Sequence, residues 1–92
     1  MANPGGKGLK AIARDVREGY LSVNPLFLKA FTEEDLKGLH AEFEKCLAEI
    51  RAEKFPHGDT GAIRARSLRL QRLHGASMVL RNFARAKKII LA

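Results

Sequence analysis

The sequence predicts an all-α fold: a small helical domain built on an antiparallel helical hairpin, about residues 33–54 and 62–90, with one or two shorter N-terminal helices. Three observations predict it. Apolar residues recur three or four apart over both long segments, the period of a helix with one buried face. Helix-opening residues and Pro/Gly breakers fall between the periodic stretches. The chain also lacks tryptophan, so its core must come from Leu, Ile, Val, Ala and five Phe, which suits helix-on-helix packing. At 92 residues the chain forms one domain at most. Folding at that size hides roughly 64% of the extended surface, enough for one modest core.

Residues 1–8 read as a disordered tail, because Pro4, Gly5, Gly6 and Gly8 leave the backbone too free. The helical domain then spans 9–92. Leu9, Ile12, Ala13, Val16 and Tyr20 share a helical stripe, with Gly19 as its end. In Leu21–Phe31, Asn24-Pro25 predicts a turn in which Pro25 opens a short helix, packing Leu26, Phe27 and Phe31 inward. Thr32 caps the clearest helix, whose first turn holds Glu33, Glu34 and Asp35, where the helix dipole favours negative charge. Leu36, Leu39, Phe43, Cys46 and Ile50, widened by Leu47, form the packing seam. Residues 55–61 hold one proline and two glycines and read as a turn, with Asp59 or Thr60 capping the last helix. On that helix Ile63, Leu70, Leu73, Ser77, Leu80 and Ala84 make the matching stripe, with Ala76 and Phe83 at its edge. Gly75-Ala76-Ser77 marks a close helix approach or a bend. At 1.5 Å per residue this helix is roughly 43 Å long against roughly 33 Å for its partner, so it overhangs.

The net charge of +7 is lopsided. Residues 33–54 carry seven acids and four bases, whereas residues 60–92 carry eight bases and no acid. An electrostatic partner meets the protein at this C-terminal third. Six of the eight bases are arginines, whose planar fork suits phosphates and equally the carboxylates of a neighbouring helix. Antiparallel pairing sets Arg64, Arg66, Arg69 and Arg72 where Glu42, Glu44, Glu49 or Glu53 can answer them. Arg81, Arg85, Lys87 and Lys88 then lie opposite or beyond Thr32, partly facing Glu33–Asp35 at most. The expected polyanion contacts are therefore Arg81, Arg85, Lys87 and Lys88, with Arg72 and Arg69 behind them.

This composition points to a nucleic-acid-binding module that grips backbone phosphates. The alternative is a non-enzymatic interaction or assembly protein that self-associates through its seam or binds an acidic protein surface. No catalytic, cofactor or metal pattern accompanies the charge. Gly6-Lys7-Gly8 lacks the frame of a phosphate-binding loop, and His40, Cys46, His57 and His74 lack the spacing of zinc ligands. The single Cys46 cannot make an internal disulfide, which favours a cytoplasmic location. The longest apolar run is the IILA tail, too short for a membrane span and suited to a core or subunit contact.

Overall fold

The computed structural model describes residues 8–91. Four helices succeed one another, α1 Leu9–Arg17, α2 Pro25–Leu28, α3 Glu33–Ala52 and α4 Thr60–Ala86, with no strand among the described residues. The first seven residues of the expected tail lie outside the described residues; Gly8 is the N-cap of α1.

Each later helix opens on a side-chain cap that satisfies one of its orphan N–H groups. Asn24 Oδ1 accepts from the Phe27 N–H at 2.8 Å, with Pro25 as the first helical residue. Thr32 Oγ1 accepts from the Asp35 N–H at 3.1 Å, and Asp59 Oδ1 from the Ala62 N–H at 3.0 Å.

Three helix ends differ from the sequence expectation. The first helix ends at Arg17, because Gly19 adopts φ +84° and the Tyr20 N–H turns back to the Asp15 carbonyl at 2.8 Å. That reversal carries Tyr20 off the stripe and leaves it 83% exposed. The last helix ends at Ala86 rather than near Ile90. Lys88 takes φ +59°, its N–H donates to the Arg85 carbonyl at 3.0 Å, and the Ile89 N–H donates to the Ala84 carbonyl at 2.8 Å. This is the left-handed C-cap usually built on glycine. It folds the tail back, so that Ile89 and Leu91 pack against the core. The α3 boundary moves less, closing at Ala52 rather than Glu53 or Lys54. From this stretch the inward residues are Phe27 and Leu28 of α2 and Phe31 beyond its end, whereas Leu26 points to solvent. At 100° per residue, Leu26 falls almost opposite the arc that Phe27 and Leu28 share.

The core gathers Ile12, Ala13 and Val16 from α1, Leu28 and Phe31, the α3 residues Leu36, Leu39, Phe43, Cys46, Leu47 and Ile50, and Leu73, Ala76 and Leu80 from α4, with Ala84 also buried. Ile63 and Leu70 are only half-buried. Each large apolar side chain fully hidden here contributes about 1.5–3 kcal/mol relative to exposure. Helix α1 lies against both α3 and α4, and α2 against α4. Between α1 and α3 the Leu9 side chain fills the space beside Gly38, where a Cβ would meet Leu9 Cδ1 at 2.6 Å. Along α3 and α4 the side chains that meet run in opposite order: Glu53 with Arg69, Arg51 with His74, Glu44 with Arg81. Ala76 and Ser77 are buried against the core, and Gly75 beside them is exposed. No helix among the described residues is long and apolar enough to cross a membrane.

Candidate functional site

The cations of α4 divide by what each already touches. Arg66 lies over the Phe55 ring, 5.4 Å from its centroid, and Phe55 in turn packs on the His57 ring at 4.8 Å. The Arg69 Nη2 atom is 3.4 Å from Glu53 Oε1. Arg72 Nη1 donates to the backbone carbonyl of Arg17 at 3.2 Å. Arg81 Nη2 is 3.7 Å from Glu44 Oε1, an exposed pair too long for a hydrogen bond. Lys87 Nζ sits 5.7 Å from the centre of the Phe83 ring. Arg64, Arg85 and Lys88 are exposed and make no ion pair among the described residues.

Of the cross-turn pairs that the sequence suggests, Glu53 with Arg69 forms. Glu44 meets Arg81 instead of an arginine nearer the turn, so Arg81 faces the middle of α3 rather than the region beyond Thr32. Arg69 and Arg72, both expected to serve an outside contact, are engaged within the molecule. The helix backbone separates the remainder: Arg81, Arg85 and Lys88 share one side of the end of α4, and Lys87 points away from them toward Phe83.

Arg81, Arg85 and Lys88 line an open concavity of about 460 Å³, floored by Ala84 and the returning tail Ile89–Leu91. No acidic side chain lines it. Three positive groups over an apolar floor attract an anion, with Glu44 beside Arg81 offsetting only part of the field. The left-handed turn at Lys88 shapes this concavity. Sequence reasoning missed it because lysine at that turn gives none of the signal that glycine would.

A second cluster of cations belongs to the groove between α1 and α3, where Lys10, Arg14, Arg17 and Lys45 are mixed with Glu42 and Glu49 above Cys46. The mixture of signs makes it a poor polyanion site. Burial pushes the Cys46 thiol up, against the lowering influence of Arg17, so the neutral thiol is favoured. Asp35, read from the sequence as one of three acids in the first turn, is fully buried, and neither carboxylate oxygen has a hydrogen-bond partner. Its place in the first turn of α3 puts it in the positive end of the helix dipole, which offsets part of that cost. No cluster of three or more metal-ligating side chains occurs among the described residues.

The fold and this surface define an all-α protein with a cationic concavity at the end of its longest helix. No protein-family model matches the chain, and no curated protein and no solved structure matches it.

Proposed function

We propose that this protein binds the phosphate backbone of nucleic acid through the C-terminal end of α4. In this reading α3 and α4 form an antiparallel hairpin that presents Arg81, Arg85 and Lys88 to the polyanion. The role is binding rather than catalysis, in the cytoplasm, where the buried Cys46 stays reduced. The observation that supports it is the concavity with three cations and no acid, two of those cations being free of ion pairs among the described residues.

The site holds no aromatic side chain, so it suits duplex phosphates better than the stacking of single-stranded bases. Three phosphate contacts imply a salt slope of about −2.7, so a fourfold rise in salt weakens binding roughly 40-fold. Titrating the chain with duplex DNA and with duplex RNA at two salt concentrations tests the reading. Binding with that slope sustains it, and absence of binding at low salt overturns it.

A further inference from the structure

The cationic concavity does not stop at the tail. It runs into a second hollow of about 440 Å³ on the far side of Ile90 and Leu91, bounded by Lys37, His40, Ala41 and Glu44. A smaller one of about 110 Å³ lies beside both, sharing Glu44 with the second and Arg81 with the first, and reaching Arg51, His74 and Met78. The three adjoin one another and make a groove along α3 and α4. From His74 to the end of α4 at Ala86 it extends about 18 Å, the rise of roughly 12 helical residues.

Two features of this groove are not needed for phosphate binding. Met78 is 55% exposed and Ile90 is 78% exposed, and both stand at its walls. Its charged lining is Lys37, Arg51, Arg81, Arg85 and Lys88 against Glu44 alone. Glu44 is already taken up by Arg81, and Lys37 by Glu33 at 3.2 Å. A polyanion has no use for the methionine and isoleucine. A second copy of this chain would bring another net charge of +7 against the same cations, a strongly repulsive approach.

We infer that this groove docks an amphipathic helix of an acidic partner protein. The apolar stripe of that helix rests on Met78, Ile90 and Leu91, and its acidic flanks meet Arg51, Arg81 and Arg85. This is the helix-in-groove mode of recognition, with methionine supplying an adaptable contact. The docked helix covers Arg81 and Arg85 and so excludes a polyanion from the end of α4; that exclusion rests on the phosphate reading, whereas the docking does not.

The test uses the full chain and a fluorescent synthetic peptide of about 18 residues, with leucines at i, i+3, i+4 and i+7 and glutamates on the flanks. The comparator is a peptide of equal length and charge without leucine. Anisotropy at about 150 mM salt suppresses purely long-range attraction. The leucine peptide is expected to bind at about micromolar Kd and the comparator at least tenfold more weakly. The double variant Met78→Ser/Ile90→Ser, altered only at exposed positions, is expected to lose roughly tenfold in peptide affinity, and Met78→Ser alone, which lies outside the phosphate concavity, to leave the duplex titration unchanged. Equal binding of both peptides, or full affinity in the double variant, overturns the inference. Peptide binding that persists where no duplex binds removes the phosphate reading and upholds the docking.

Discussion

The guanidinium of Arg72 in α4 donates to the main-chain carbonyl of Arg17, the last residue of α1, at 3.2 Å. It thereby closes a helix end that would otherwise leave carbonyls unsatisfied, and it places positive charge at the negative end of the α1 dipole. Gly19 makes room for it: a Cβ there would lie 2.9 Å from Arg72 Cζ, and the residue holds φ +84°. An arginine that reads in sequence as part of a basic surface is a fastener between two helices.

Arg72→Met is therefore expected to lower stability by about 1 kcal/mol, the contribution of one exposed charge-assisted hydrogen bond. Gly19→Ala is expected to cost about 1–2 kcal/mol through its left-handed backbone, with the contact to Arg72 in addition. Urea denaturation measures both. The duplex salt slope of Arg72→Met should match that of the parent chain.

Arg69 and Arg85 give the sharper contrast in binding. Arg69 answers Glu53, whereas Arg85 faces the open concavity. Arg85→Ala is expected to reduce the salt slope by about 0.9, the counterion contribution of one phosphate contact. Arg69→Ala should leave the slope unchanged and shift stability by less than about 1 kcal/mol, as befits an exposed pair. Duplex titrations of the two variants across salt decide between them; equal effects would mean that the cations act only as a diffuse field.

Much of the fold is legible in the sequence, because period and capping are local signals. Leu36, Leu39, Phe43, Leu47 and Ile50 share a spacing that only a helix can bury on one side, and Thr32 and Asp59 sit where a side-chain oxygen meets the first free N–H groups. The site is less legible. Whether Arg81 faces Glu44 or Glu33 depends on the register of α4 against α3, which the turn between them sets. The same limit hides the packing of Arg66 on Phe55 and the full burial of Asp35. The reversal at Lys88 is hidden for a different reason, since a left-handed lysine leaves no compositional mark.

Cys46 carries a pH prediction. Burial raises its thiol above the value that the unfolded chain shows, so between the two values the folded state holds a proton that the unfolded state has lost. The stabilisation is present in full below the ordinary thiol pKa of about 8.5 and declines as pH rises through the folded value. Thermal melts from pH 7 to about pH 10 should show the parent chain losing stability relative to Cys46→Ala over that range. Iodoacetamide should also label native Cys46 more slowly than the unfolded chain, because less thiolate is present and access is limited.

Lys88 joins stability to binding at a single residue. Its φ of +59° costs a non-glycine residue about 1–2 kcal/mol, and glycine's greater freedom in the unfolded chain takes back roughly half of the relief. Lys88→Gly is thus expected to stabilise the fold by about 0.5–1 kcal/mol, raising Tm by several degrees in a domain of this size. It also removes one cation from the concavity, so the salt slope for duplex binding falls by about 0.9. Lys88→Ala removes the same charge but keeps the strained backbone, and should show the loss of slope without the gain in Tm. A Lys88→Gly chain that melts no higher than Lys88→Ala would mean that the left-handed turn relaxes freely. The tail Ile89–Leu91 would then have another anchor than the backbone bonds to Ala84 and Arg85.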